Sequence, residues 1–281
     1  MAESNPSPEE RRASAQRRAR QRQRTRLANQ QKLVFAALFL VSLIIISPFL
    51  IRGVVRQNRE KEAASGKSPA AVQTQQTRYT GVPISQIPNY SEQQADRFFQ
   101  DTLFIGDSRT VGLKEYGEIS KATFFCDIGL SAAKAQSDSL NVSPYGKCTL
   151  SALLHTRKYR RIYVMLGINE LGNSRGTILK SYGQLLNELK AQEPGAEIIT
   201  VGNLCVTAEK AQGDSVMNNE NIAGLNRQIA ALAKQNGFRY IDPNSSFADA
   251  GGALNADYSG DGAHLYGKYY RLWRNWFIYQ K

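Results

Sequence analysis

The sequence predicts an α/β domain built on a parallel sheet with helices on both faces. Apolar runs of strand length recur along the second two-thirds of the chain, and amphipathic helical stretches separate them. Several of the runs are followed at once by short polar, glycine-containing segments. This alternation is the pattern of βα units whose strands lie buried between two helix layers.

The predicted strands are residues 102–105, 122–126, 161–166, 197–201 and 238–241, five in all. After the third, Ile178, Tyr182, Leu185, Leu186 and Leu189 fall on one helical face. After the fourth, Ile222, Leu225, Ile229 and Leu232 do the same, and Asn236 with Gly237 stops that helix. A last helix carries Tyr269, Leu272, Trp273 and Trp276 on one stripe, which is expected to be buried against the sheet rather than to form a ligand platform. There are no internal repeats, and residues 88–281 form one domain of a common size.

The segment ahead of the domain has a different character. Residues 33–51 run nineteen positions without a charge, long enough at helical rise to span a bilayer core of about 30 Å. Residues 1–32 carry nine basic and three acidic side chains, which under the positive-inside rule puts the N-terminus in the cytoplasm and the domain outside. A cleaved signal peptide is the rival reading, disfavoured by the length of the basic region and by the lack of a small-residue cleavage site close behind the apolar run. Residues 52–87, rich in Ala, Gln, Ser, Thr and Lys, read as a flexible stalk. The formal net charge of +12 therefore resides largely in the N-terminal quarter and not on a binding face, so no nucleic-acid partner is expected. Three cysteines, Cys126, Cys148 and Cys205, allow at most one internal bridge; Cys126–Cys148 and unpaired thiols both remain open. With two histidines and no CxxC pair, no structural zinc site is expected.

Ligands of open α/β sheets bind outside the carboxyl ends of the strands. There the chain places Gly106-Asp107-Ser108-Arg109, Asp127-Ile128-Gly129 and Gly167-Ile168-Asn169-Glu170, and ahead of the last helix Asp261-Gly262-Ala263-His264. These side chains suit acyl transfer. A serine hydroxyl is a weak nucleophile that needs an adjacent base, itself oriented by a carboxylate. Ser108 is the candidate nucleophile, His264 the base and Asp261 its orienter. The backbone N–H groups of Ser108 and Gly129 and the amide of Asn169 are candidate oxyanion donors. His155 sits in an apolar helical stretch and is expected to be structural. Each piece alone has an ordinary explanation as a turn or cap; together, in this order and at strand ends, they point to one site.

From about residue 102 to the C-terminus the chain resembles the SGNH, or GDSL-type, hydrolase superfamily. Residues 102–108 resemble its first block with Ser108 as nucleophile, Gly129 and Asn169 match the glycine and asparagine of the next two, and Asp261 with His264 matches the final D-x-x-H. The resemblance implies a flavodoxin-like three-layer α/β/α sandwich and chemistry without a cofactor. Arg109 replaces the leucine of GDSL, and Glu170 stands where an aspartate is common. Both are possible substrate contacts, Arg109 being either a contact to an anion or a solvated surface residue. The family includes lipases, thioesterases, carbohydrate O-acetylesterases and some O-acyltransferases. A tethered domain outside the membrane meets acylated glycans and small molecules of the envelope, so the expected activity is cleavage of O-acyl, chiefly O-acetyl, esters. An acyltransferase using the same acyl-enzyme and a non-catalytic envelope-binding module are the other readings.

Overall fold

The computed structural model describes residues 81–280. The expected basic tail and apolar segment, and most of the expected stalk, lie outside the described residues. Among the described residues, no helix is long and apolar enough to cross a membrane.

In chain order the elements are α1 (Glu92–Phe99), β1 (Thr102–Gly106), α2 (Ser108–Tyr116), β2 (Ala122–Cys126), α3 (Ala132–Ser137), β3 (Ser139–Val142), β4 (Gly146–Thr149), α4 (Leu150–Thr156), β5 (Arg161–Met165), α5 (Arg175–Gln192), β6 (Glu197–Val201), α6 (Ala208–Gly213), α7 (Asn219–Gln235), β7 (Arg239–Ile241), α8 (Asn244–Phe247) and α9 (Gly267–Tyr279). Five strands form a parallel sheet in the order β2-β1-β5-β6-β7. The chain moves outward from β1 to β2 and then returns past β1 to β5, so the crossovers reverse direction between β1 and β5. That is the switch point at which such sheets open a crevice.

The sheet is buried on both sides, which is why its strands read as continuous apolar runs and not as alternating ones. Leu103, Ile105, Ile162 and Val164 pack on one face against Leu153 of α4, Ile178 and Tyr182 of α5 and Leu225 of α7. Phe104, Phe124, Tyr163 and Met165 pack on the other against Phe99 of α1, Leu113 of α2 and Trp273, Trp276 and Phe277 of α9. Side-chain oxygens cap the main helices, Ser91 through a full capping box on α1, Ser174 on α5 and Asn218 on α7.

Three features depart from the sequence expectation. The antiparallel pair β3–β4 appears where no strand was expected, because its Ser, Asn, Pro, Gly and Lys residues dilute any apolar pattern. The domain also begins earlier than residue 88: Ile84 and Ile87 are buried in the aromatic half of the core. Third, α9 buries more than one stripe, since Arg274 and Asn275 are enclosed together with Trp273 and Trp276. Arg274 Nη2 donates to the Tyr90 carbonyl at 2.9 Å and Asn275 Nδ2 to Asn89 Oδ1 at 3.0 Å. These two bonds fasten the leading segment to the last helix.

The end of β1 is tightly fixed. A Cβ added at Gly106 would overlap Thr110 Oγ1 and lie 2.9 Å from the Met165 carbonyl oxygen, a backbone atom of the neighbouring strand. Gly106→Ala is therefore expected to destabilise the protein by about 1–3 kcal/mol. Urea unfolding of the purified chain measures this, and an unchanged midpoint would show that the β1–α2 turn is looser than described.

Candidate active site

Ser108 is the first residue of α2, directly beyond β1. Asp107 caps that helix, its Oδ1 accepting from the Arg109 amide at 3.0 Å. The Asp107 carboxyl is fully enclosed, and burial pushes it above the usual carboxylate range while the Arg109 charge pulls the other way. Ser108 itself stays half-buried at the sheet edge.

The loop ahead of α9 brings His264 to it. Ser108 Oγ lies 2.8 Å from His264 Nε2, and His264 Nδ1 lies 2.7 Å from Asp261 Oδ2. With the Nδ1 proton directed at the carboxylate, Nε2 is left as the acceptor for the serine hydroxyl. Asp261 Oδ1 also accepts from the amides of Ala263 at 2.9 Å and His264 at 2.8 Å. Burial pushes the Asp261 carboxyl up, but the hydrogen bonds from the His264 amide and ring and the Ala263 amide outweigh it and hold the group far below the usual range. Gly262 is required in this turn on two counts. Its φ is +79°, and a Cβ would lie 2.7 Å from both Thr207 Oγ1 and Lys210 Cβ.

The other two strand ends come to the same level. Gly106 is in register with Cys126 of β2 and with Met165 of β5, so the turns holding Ser108, Gly129 and Asn169 start side by side. Gly129 has φ +74° with open space where a Cβ would point, so the backbone conformation and not crowding calls for glycine there. Asn169 is exposed and donates from Nδ2 to the Leu130 carbonyl at 3.2 Å, tying the third turn to the second. Among the described residues, neither the Ser108 nor the Gly129 amide donates to a protein acceptor.

Arg109 and Glu170 turn inward, contrary to the expectation of substrate contact. Arg109 is 3 % exposed, and its Nε donates to the Ala263 carbonyl at 3.1 Å. Glu170 is 6 % exposed, and its Oε2 accepts from the Ala132 amide at 3.1 Å, at the start of α3. Their charged side chains suggested the surface; remote backbone partners, invisible in the sequence, allow their burial. Thr207, which the sequence reading did not single out, also braces the site: its amide donates to the Gly262 carbonyl at 2.9 Å. Its signal was an N-cap threonine ahead of α6.

His155 is exposed and its ring meets the Ser151 carbonyl of its own helix at 2.7 Å. The three cysteines form no disulfide, so the Cys126–Cys148 bridge is absent; burial pushes the Cys126 thiol up to about 12. Among the described residues no three His, Cys, Asp or Glu side chains group as metal ligands. An open groove of about 660 Å³, lined by Gln212, Asp214, Asn218 and Glu220 among others, contains none of these site residues.

A family model described as GDSL-like Lipase/Acylhydrolase family matches residues 104–272. A structure from Streptococcus pneumonia, provisionally described as a platelet activating factor, is similar with a TM-score of 0.51 and 20% identity over 68% of this chain and 91% of that one. A GDSL-like lipase from Bacteroides thetaiotaomicron gives 0.48 and 14% over 70% and 92%. A carbohydrate acetylesterase from Sinorhizobium meliloti gives 0.42 and 14% over 64% and 96%. At 20% identity the first of these likenesses is one of fold. No curated protein matches the chain.

Glu170 offers a test of how the Gly129 turn is held. Burial pushes its carboxyl up, against the Ala132 hydrogen bond. A raised folded-state value means that ionising the buried group costs stability as pH rises through it. Glu170→Gln keeps an acceptor and removes the ionisation, so at neutral pH it should be at least as stable as the parent. Glu170→Ala leaves the Ala132 amide buried without an acceptor and should lose about 1–3 kcal/mol. Chemical unfolding of both variants checks the pair, and equal stabilities would refute this account.

Proposed function

Because the chain belongs to the GDSL-like lipase/acylhydrolase family of ester-bond hydrolases, we propose that Ser108, His264 and Asp261 form its catalytic triad and that its substrates are O-acyl, chiefly O-acetyl, esters on an envelope carbohydrate. The observation that carries the triad is the continuous relay from Ser108 Oγ through both ring nitrogens to Asp261, with steps of 2.8 and 2.7 Å.

Ser108 attacks the ester carbonyl while His264 Nε2 takes its proton. The developing oxyanion meets the N–H groups of Ser108 and Gly129 and the Asn169 amide. His264 then gives the proton to the departing sugar oxygen, which leaves as a hydroxyl with acyl-Ser108 behind, and a water activated by the same imidazole releases the acid. Asp261 holds the ring in the required tautomer and stabilises the imidazolium; it does not take the proton.

The envelope substrate rests on the sequence ahead of the domain. A basic segment before a nineteen-residue apolar run would leave the domain tethered outside the membrane. Protease added to intact cells should then digest the domain, and protection of the domain would reverse that topology.

Ser108→Ala should abolish labelling by a fluorophosphonate and lower turnover of p-nitrophenyl acetate by on the order of 10³-fold or more. His264→Ala should match it, and the His264→Ala/Asp261→Ala double variant should be hardly slower than His264→Ala alone. Undiminished turnover in Ser108→Ala would end this assignment. Acetate released from a panel of acetylated glycans identifies the substrate; transfer of acetyl to an added glycan in preference to water would make the protein a transferase.

Asp261 also bears on the pH dependence, by staying ionised through it. Its depressed value means that its hold on the loop is present above the usual carboxylate range and is lost only as pH falls through that depressed value. The acid limb of log kcat/KM should therefore have the slope of a single ionisation. A two-proton slope would show that Asp261 titrates together with the imidazole.

A further inference from the structure

The peptide group joining Ala263 to His264 is held from both sides. Its carbonyl accepts from Arg109 Nε at 3.1 Å, and its N–H, that of His264, donates to Asp261 Oδ1 at 2.8 Å. Fixing that plane fixes the direction in which His264 leaves the backbone, and so where Nε2 stands relative to Ser108. The Asp261 half of the clamp lies within the base loop itself. The Arg109 half comes from α2, immediately beside the nucleophile and 154 positions away in sequence.

Burying a guanidinium at 3 % exposure is unfavourable unless it is offset. Asp107, enclosed in the same turn, is pushed up by burial and drawn down only in part by the Arg109 charge. An uncharged leucine would fill the space without the desolvation cost. The guanidinium adds a charge-assisted hydrogen bond to the Ala263 carbonyl. Asp107 and Arg109 thus flank Ser108, one capping its helix and the other reaching across to the base loop.

We propose that Arg109 is a positioning residue for the Ser108–His264 pair, clamping the Ala263–His264 peptide so that the imidazole meets the serine hydroxyl. The proposal rests on the esterase reading above. Arg109 touches no reacting atom, so its loss should misplace the base without altering ester binding. Small misplacements of reacting groups are costly. Arg109→Leu, of similar apolar bulk, should lower kcat for p-nitrophenyl acetate roughly ten- to hundredfold with KM unchanged, and slow fluorophosphonate labelling in step. Arg109→Ala should be similarly slow and should regain activity on addition of methylguanidinium, which replaces the lost donor, but not with urea or sodium chloride. The end-point of labelling counts the folded sites, so kcat is expressed per competent enzyme.

An Arg109→Leu enzyme with the parent's kcat would overturn the proposal, because packing alone would then suffice. Should that variant fail to fold, Arg109→Ala decides: a folded Arg109→Ala enzyme that methylguanidinium does not accelerate overturns the proposal equally. Parent and Ser108→Ala are assayed alongside. Turnover in Ser108→Ala would sink the esterase reading and this inference with it, whereas failure confined to the Arg109 variants would leave that reading standing.

Discussion

The seating of α9 against α2 is the constraint on which the site depends. Ser108 opens α2 and His264 lies in the loop just ahead of α9, and 156 positions separate them in the chain. Their 2.8 Å contact exists only while the two helices stay in close register. Gly112 makes the approach possible, because a Cβ there would overlap the Tyr270 ring. Phe277, with Trp276 against it, then locks α9 over Phe104 and Tyr163 of the sheet, in a run of ring contacts between 4.8 and 5.3 Å. Aromatic pairs of this kind add rigidity as well as buried area. The aromatic layer is therefore packed as the support of the loop that carries His264, the proposed base.

Around this support the site gathers buried charge. Asp107, Arg109 and Glu170 are all enclosed, and each has a backbone partner from another segment or from the adjoining turn. Buried ionisable groups cost stability unless they are paired and hydrogen-bonded. Here they serve as connectors: Glu170 joins the β5 turn to the start of α3, Arg109 joins α2 to the loop of His264, and Asp107 closes the helix that Ser108 begins. Asp261 differs from the three. It remains exposed and strongly ionised, which suits the role proposed for it of stabilising an imidazolium.

How much of this the sequence discloses depends on where the partners of each residue lie. The five strands were legible because burial on both faces makes every position apolar, a signal that needs no knowledge of neighbours. Ser108, Gly129, Asn169 and His264 were legible because each follows a strand or precedes a helix in its own short segment. The directions of Arg109 and Glu170 were not, since their partners, the Ala263 carbonyl and the Ala132 amide, belong to remote loops. The β3–β4 hairpin escaped notice for a different reason. Only Leu140 and Val142 of β3 are buried, too few to show a period. Ile84 and Ile87 were hidden among polar neighbours, and their role appears only once α9 offers them a surface.

The base loop is braced on a second side, independently of α2. Thr207 donates to the Gly262 carbonyl, and the position of Thr207 is set by the stretch from Gly202 to Val206, which is buried yet belongs to no helix or strand. A buried irregular segment must satisfy its backbone groups by other means. Asparagine side chains do so here, since each offers a donor and an acceptor and can stand in for a neighbouring strand. Asn226 accepts from the Asn203 amide at 2.8 Å and donates to the Asn203 carbonyl at 2.8 Å. Asn219 brackets Val206 in the same way, and Asn244 accepts from the Cys205 amide at 2.7 Å. These side chains prolong the order of β6 beyond its last residue and carry it to the loop that holds Asp261 and His264. In the proposed mechanism, a site whose donors and base are fixed before substrate arrives needs little reorganisation as charge develops on the oxyanion, and that is the physical sense in which this buried polar ladder, remote from the reacting atoms, would bear on catalysis.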